Sequence, residues 1–343
     1  MRAESAEPFF SILTTAYRTE QYLPESIESV LSQTRSDWEL IVVDNGNSDD
    51  IARIVRTYAD DQRIGLIRQV NRGYGGGVTA AAGMARGRVL TVLDSDDLLR
   101  PDFCERMGAV FKAEPHVAAV GCDATLFGFG DGTERGYLRS IGYRNRKHHA
   151  DVPLTFSDVL GGIVPYYSGA VRRDVWNAVG GYTAPDGVEE DVLLWLRITA
   201  AGWDIRLLDD RLARCRVRAD SSSRDPSRVE AFDERLQATF LSLAGSPDRR
   251  RAVDSTLRRL RYHQSLRRAR WALLEGDVRS ARRSARTAFG QKPSLRAATV
   301  VSALAVAPGV LRRVHPVKQH LSGTVRRYGV AGARIVRPVR GSG

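Results

Sequence analysis

Cysteine is scarce in this 343-residue chain: Cys104, Cys122 and Cys215 are odd in number, far apart and without metal-type spacing. That argues against a disulfide framework or a cysteine-built metal site. The three read as small buried hydrophobes in a reducing compartment. Long hydrophobic runs are also missing. The most apolar stretch, residues 297–311, is too short to span a bilayer and contains Pro308. Residues 1–8 are polar and acidic, unlike a signal peptide, so the expected location is cytoplasmic. Lysine is nearly absent, since all but four of the 52 basic residues are Arg. The first predicted β-α turn, residues 16–20, has no glycine, which argues against a Rossmann dinucleotide site.

What charge there is divides unevenly. The net +12 conceals a balance of +18 over residues 231–343 and −6 over residues 1–230. Two regions of opposite charge habit imply two jobs, or one job at a charged surface.

The first half alternates short β-branched runs with helical patterns. Strands are predicted over 9–15, 38–44, 64–69, 88–94 and 117–122, with helices over 22–33, 48–58, 78–85 and 101–113. This order implies a doubly wound, mainly parallel α/β sheet with helices on both faces. Residues 128–152 are glycine-rich and charged with little periodicity (Arg144, Arg146, Lys147, His148, His149), and read as a long mobile loop. A strong helix follows over 188–201, then short strands over 203–208 and 212–217. Beyond Ser221-Ser222-Ser223 the pattern is wholly helical and Arg-rich. A helical hairpin is expected to turn at Glu275-Gly276-Asp277, and the tail after Pro316 to be poorly ordered. The expected domains are therefore 1–223 and a basic helical region, 224–343.

The most informative stretch is Val89-Leu-Thr-Val-Leu-Asp94-Ser-Asp96-Asp97, an apolar strand ending in three carboxylates. Such acids repel one another unless a cation or a donor sits between them. Open α/β sheets bind ligands at that edge. Hard oxygen ligands there suit Mg²⁺ or Mn²⁺ bridging a diphosphate. The plain alternative is an acidic turn ahead of a helix opened by Pro101. Arg72 and Gly73-Tyr74-Gly75-Gly76-Gly77 precede the small-residue helix. They either admit phosphate or only permit close strand–helix packing.

Several blocks together resemble the family 2 inverting glycosyltransferases of GT-A fold, over roughly residues 8–223. Ser11-Ile-Leu-Thr-Thr-Ala-Tyr17 resembles the opening strand and nucleotide-contacting turn, and Tyr22-Leu-Pro-Glu-Ser-Ile-Glu-Ser-Val-Leu-Ser-Gln33 the helix after it. Ile41-Val-Val-Asp44-Asn45-Gly46 stands at the family's Asp-Asp-Gly-Ser turn, and Asp94-Ser95-Asp96 at its Asp-X-Asp. Gly180-Gly-Tyr182, Glu190-Asp191 and Leu194-Trp-Leu-Arg197 are similar to its acceptor-side segment.

The resemblance implies a nucleotide-sugar half over about 8–125 and an acceptor half over about 150–223. It implies donor contacts from Thr15, Tyr17, Asp44, Arg72, Asp94, Ser95 and Arg218, and a divalent metal, Mn²⁺ or Mg²⁺, on Asp96. Asp191 is the expected general base, with Glu190 beside it. Acids in a helix's first turn also suit the macrodipole without any catalytic role. Two positions depart from the family pattern: Asn45 replaces its second Asp, and Arg218 stands where a His is frequent. The Gln-X-X-Arg-Trp motif and membrane helices of processive synthases are absent, which points to addition of one sugar. The acceptor is a glycan, a lipid-linked molecule or a small molecule. Polysaccharide, cell-envelope and natural-product glycans all remain compatible. The basic region is either a helical appendage or a contact with an anionic membrane at its inner face; no nucleic acid is expected. A nucleotidyltransferase and an inactive nucleotide-binding scaffold are the competing readings.

Overall fold

The computed structural model describes residues 7–129, 132–141, 152–165, 168–218 and 226–313. The predicted tail, residues 130–131 and 142–151 of the 128–152 loop, and Ser221–Ser223 lie outside them. The described residues divide into two compact units, one up to 218 without 160–162, the other 160–162 with 226–313.

In the first unit the early elements alternate: β1 (Phe10–Ala16), α1 (Leu23–Leu31), β2 (Trp38–Asp44), α2 (Asp49–Arg56), β3 (Ile64–Arg68), α3 (Gly73–Met84) and β4 (Val89–Val92). There follow β5 (Leu98–Leu99), α4 (Phe103–Ala113), β6 (Ala119–Phe127), β7 (Arg135–Gly136), α5 (Tyr137–Ser140) and α6 (Phe156–Leu160). The unit closes with β8 (Ala170–Arg172), α7 (Arg173–Val179), α8 (Glu190–Ala200) and β9 (Ile205–Arg216).

One sheet runs β3-β2-β1-β4-β8-β6-β9-β5, with β7 on β6. Its first four strands are parallel, as expected of β-α-β units. Every residue of β1, β2 and β4 is buried, as apolar strands covered on both faces should be. The other half is mixed: β8 pairs antiparallel with β4 and β6, β5 runs antiparallel to β9, and β6 parallels β9.

Four expectations are corrected. The strands predicted at 203–208 and 212–217 are one strand, β9, whose acidic middle is accommodated by register shifts around Asp123 on β6. The predicted loop contains β7 and α5. Pro101 lies in a turn before Asp102, and α4 begins at Phe103. Finally, α3 begins at Gly73, so the glycines are its first turns rather than a preceding loop.

Local signals elsewhere agree with the chain's course. Ser48 caps α2, which has Asp49 and Asp50 in its first turn and Arg53 and Arg56 in its last, matching the helix dipole. Gly180 ends α7 with φ 81° and Gly181 follows at φ 50°, a left-handed turn that glycine adopts without strain. Cys104 and Cys122 are buried in the sheet's core, and burial pushes the Cys104 thiol up to about 12 and Cys122 higher still. They act as hydrophobes, as read.

The second unit holds α9 (Pro226–Ser242), α10 (Pro247–Glu275), α11 (Val278–Gln291) and α12 (Leu295–Val306). The turn falls at Gly276 (φ 93°), and Asp277 caps α11 by accepting from Ser280 N at 2.9 Å. Ala269, Leu273, Ala281, Ala285 and Leu304 form its core. No helix among the described residues is long and apolar enough to cross a membrane.

Candidate active site

The parallel strands deliver the site. Asp44 ends β2 directly opposite Ala16, the last residue of β1, and Asp94 follows β4 beside them. Both acids therefore stand at the carboxyl edge of the sheet, where such folds bind ligands.

Asp44 is fully buried. One carboxylate oxygen accepts from Ser48 N at 2.9 Å and the other from Arg68 Nε at 3.1 Å. Arg68 also pairs with Asp49 at 2.9 Å, and these two acids raise its pKa. Asp44 is thereby held on both carboxylate oxygens at the end of β2. Tyr17 lies beside the turn that follows: a Cβ on Gly46 would come within 2.9 Å of its ring.

Asn45, the departure from the family pattern, is buried and satisfied on both ends of its amide. Its Nδ2 donates to Gly73 O (2.8 Å) and Asn71 Oδ1 (3.3 Å), while its Oδ1 accepts from Gln69 Nε2 (2.8 Å) and Arg72 N (3.2 Å). A carboxylate accepts only, so the two donated bonds require the amide. Asn45 thus ties the β3–α3 connection and the start of α3 to the end of β2. The Arg72 backbone is part of this brace; its side chain is exposed.

Two glycines of α3, Gly75 and Gly77, stand at close contacts with other elements. A Cβ on Gly77 would lie 2.3 Å from Thr15 Cγ2, and one on Gly75 2.7 Å from Glu190 Oε1. Thr15 on β1 and Glu190 on α8 are therefore drawn to the same helix start. Thr15 Oγ1 is buried without a hydrogen-bond partner.

The three acids after β4 each have a protein donor, which answers their mutual repulsion. Tyr74 donates to Asp94 Oδ1 at 2.6 Å. Arg218 Nε lies 3.3 Å from Asp96 Oδ2. Asp97, buried, accepts from Arg216 N at 2.7 Å, and Arg216 Nε donates to the Asp96 carbonyl at 2.9 Å. The end of β9 therefore clamps the acidic turn. Ser95 is buried and its hydroxyl pairs with Thr19 at 2.8 Å, a structural bond rather than an exposed donor.

Asp191 sits in the first turn of α8, its Oδ1 accepting from Val192 N at 2.7 Å. It is linked to the β4 acids by tyrosines. Tyr182 stacks on Trp176 with ring centroids 5.3 Å apart and meets the Tyr74 ring at 6.0 Å. Burial, then the charges of Asp191 and Asp94, push the Tyr182 phenol well above its ordinary value. Tyr74 is raised by burial and then by Asp94, with Asp191 contributing. Burial and Asp191 raise Tyr137 as well. Tyr74 and Tyr182 thus share one neighbourhood with Asp94 and Asp191, and Tyr137 lies near Asp191.

Of the predicted residues, Asp94, Asp191 and Glu190 gather around α3 and the tyrosines. Asp96 and Arg218 pair, and Asp44 and Tyr17 share the β1–β2 edge. Tyr74, Thr19 and Arg216 were missed as individual site residues, and Asn45 was read only as a departure from the family pattern. Only Tyr74 carried a signal, as the one large side chain in the glycine run. No group of three or more His, Cys, Asp or Glu side chains among the described residues is arranged as a metal site.

The pattern described as Glycosyl transferase family 2 matches residues 11–172. EpsE of Bacillus subtilis is 28% identical over 224 residues, covering 63% of this chain and 76% of its own. Chondroitin synthase of Escherichia coli is 37% identical over 114 residues, covering 33% of this chain. That match spans only 17% of chondroitin synthase, and the match to EpsH of Bacillus subtilis spans 29% of that protein. Among solved structures, the mannosyltransferase PcManGT from Pyrobaculum calidifontis, in complex with GDP-Man and Mn²⁺, superposes with a TM-score of 0.59 at 16% identity. That superposition covers 96% of this chain and 86% of that one. TarS 1–349 of S. aureus in complex with UDP-GlcNAc gives 0.58 at 17% identity, covering 92% of each. At such identities the likeness establishes the fold.

Proposed function

We propose that this chain, which belongs to glycosyl transferase family 2 over residues 11–172, moves one sugar from a nucleoside-diphosphate sugar to an acceptor hydroxyl with inversion. The observation that carries the reading is the tyrosine bridge. Tyr74 holds Asp94 at 2.6 Å while Tyr74 and Tyr182 both feel the charge of Asp191. An acid at the sheet edge and an acid on α8 thus flank one small volume, as donor and acceptor sides of a transfer must.

In this reading Asp44, Tyr17 and Thr15 receive the nucleoside, and Asp94 accepts from the ribose. Thr15 Oγ1, buried and unpartnered within the protein, suits a ligand contact. Arg72 and Arg218 face the diphosphate, Arg218 leaving Asp96 for phosphate oxygens that it can bind bidentately. Asp191 accepts the acceptor's proton as its oxygen attacks the anomeric carbon, and the bond to the diphosphate oxygen breaks on the opposite face. Glu190, packed on Gly75, holds the first turn of α8 against α3 and so positions Asp191.

The donor set fits a divalent cation that arrives with the nucleotide. Mg²⁺ and Mn²⁺ are commonly held by one or two carboxylates plus phosphate oxygens, and Asp96 with Asp94 offers that many here. Such an ion, when bound, would neutralise charge on the leaving diphosphate. The GDP-Man and Mn²⁺ named for the Pyrobaculum structure support this choice by analogy of fold.

The basic helical unit presents Arg279, Arg283 and Arg286 on the exposed face of α11, opposite buried Ala281, Ala285 and Ala288. A contact with an anionic membrane, where lipid-linked acceptors lie, suits that face, each Arg near such a surface gaining about 1 kcal/mol.

The test incubates full-length protein with a panel of nucleotide sugars, with and without Mn²⁺, and measures nucleoside diphosphate release. Asp191→Asn should lower transfer by roughly 10²–10⁴-fold with donor affinity nearly preserved. Near-normal turnover in that variant would move the base elsewhere, and binding without turnover by any donor would favour the inactive scaffold.

A further inference from the structure

Two Arg residues near the C-terminal end of α10 have acidic partners on α9. Arg267 and Arg268 are neutralised by α9: Arg267 pairs with Asp233 and with Glu230 at 3.2 Å, and Arg268 pairs with Glu230 at 2.5 Å and Glu234 at 3.6 Å. One turn earlier lies His263, and one turn before that Arg259, at i, i+4 and i+8 spacing on one side of the helix. Arg259 forms no ion pair among the described residues, and its Nε is buried without a hydrogen-bond partner. Lys292 and Arg296 approach from the α11–α12 connection, and neither has an acidic partner among the described residues.

The placement of these groups is fixed by packing. Tyr262 is buried with Ala288 and Ala297, and its hydroxyl lies 3.1 Å from Ser294 Oγ. The ring meets His263 edge-on at 5.0 Å and lies 6.0 Å from Lys292 Nζ. Lys292 and Arg296 flank Ser294 and are thereby brought beside His263. Burial first, then Arg296, Lys292, Arg259 and Arg267, lower the imidazole to about 4, so it is neutral near pH 7. Burial also lowers the Arg259 guanidinium. A helix that supplies acids for Arg267 and Arg268 supplies none for this group. Arg259, a half-buried guanidinium, opposes folding unless an anion joins it, and the exposed Lys292 and Arg296 stand beside it to share that anion.

We infer that Arg259, His263, Lys292 and Arg296 form a binding site for a phosphate group within the helical unit, separate from the proposed donor site. The two guanidiniums can each present two N–H donors to one phosphate, and the ammonium supplies a further charge. His263 Nε2 or Nδ1 becomes a second-stage donor: a bound dianion favours the protonated ring, so binding should raise the imidazole pKa. The chemistry is shared by a soluble phosphate and by a lipid headgroup.

The experiment follows His263 itself in full-length protein, using imidazole NMR titrations assigned with His263→Gln. The arms are inorganic phosphate, chloride at equal ionic strength, and vesicles of phosphatidylcholine with or without phosphatidylglycerol. Phosphate should raise the His263 pKa by one unit or more beyond chloride, while Lys292→Gln and Arg259→Gln/Arg296→Gln remove the shift. Lys292 is exposed, so its variant should retain the fold and keep the result readable. A shift with phosphate and none with phosphatidylglycerol vesicles identifies a soluble source; a shift or co-sedimentation specific to phosphatidylglycerol identifies the headgroup. An identical titration in phosphate, chloride and both vesicle preparations overturns the inference. So does a shift that survives in the Arg259→Gln/Arg296→Gln variant.

Discussion

Two glycines on one helix should respond to alanine in opposite directions. Both Gly77 and Gly83 lie in α3 with helical backbone, so alanine removes about 1 kcal/mol of helix-propensity cost at either. At Gly83 the added methyl meets nothing within 4 Å, and the gain should appear undiminished. At Gly77 the same methyl lands 2.3 Å from Thr15 Cγ2, 2.6 Å from Oγ1 and 3.0 Å from Cβ. Thr15 cannot step aside cheaply. It is β-branched and stiff at χ1, buried, and held in parallel register with Val43. Overpacking of this kind costs about 1–3 kcal/mol, which outweighs the propensity gain. Gly77→Ala should therefore lower the thermal midpoint of the catalytic unit, at about 2–4 °C per kcal/mol, while Gly83→Ala raises it. Thr15→Ala made together with Gly77→Ala removes Cγ2 and Oγ1 and should recover most of the loss, a coupling of at least about 0.5 kcal/mol. Differential scanning calorimetry reads wild type, the Gly77→Ala, Gly83→Ala and Thr15→Ala single variants, and the double variant. A Gly77→Ala protein as stable as Gly83→Ala would mean that α3 does not press on β1, and the packing account of the glycine run would fall.

Further outcomes concern the acids and their partners. Asp96→Asn should weaken Mn²⁺-dependent nucleotide binding and leave the unfolding midpoint unchanged; calorimetric titration with unaltered nucleotide and metal affinity would remove Asp96 from the metal. Arg218→His exchanges a guanidinium that pairs with Asp96 at 3.3 Å for a ring able to ligate metal. Diphosphate release should then depend more steeply on added Mn²⁺, and a metal response identical to wild type would contradict the pairing. Asn45→Asp sets a carboxylate oxygen against Gly73 O and Asn71 Oδ1, costing about 1–3 kcal/mol. That deficit should shrink on acidification, when the carboxyl can donate again, so a thermal midpoint indifferent to pH would refute the brace.

The parallel half of the sheet was legible because its strands are short β-branched runs separated by amphipathic helices, a pattern that any chain with this core must carry. β5, β7 and β8 were not. Each is two or three residues long and exists only because a neighbouring strand offers its edge. β9 misled for the converse reason. Asp209, Asp210 and Arg211 read as a break, yet Arg211 pairs with Asp123 at 3.3 Å inside the register shift, so the strand continues through its own charges. The start of α3 misled because propensity scores glycine against helix, whereas Gly75 and Gly77 stand there to bring Glu190 and Thr15 close.

The same division governs the site. Asp94 and Asp96 could be named from sequence because they close an apolar strand, and Asp44 and Asp191 because the blocks around them resemble the family's. Their partners are restricted by geometry alone. Arg216 reaches the Asp96 carbonyl across 120 residues of chain, Thr19 meets Ser95 across 76, and Tyr74 meets Asp94 across 20. Nothing local marks a tyrosine as the one that will hold a particular carboxylate. Asn45 shows what such partners do to a familiar motif. Read alone, an Asn in place of Asp weakens the likeness to the family. Set beside Gly73, Asn71, Gln69 and Arg72, it is the one residue of that size and shape that can both donate and accept at that point. The substitution therefore changes which groups the turn can hold while keeping the turn itself in place. The difference between a lost acid and a gained brace lies in whether a carbonyl or a cation faces the side chain, and here it is the carbonyl of Gly73.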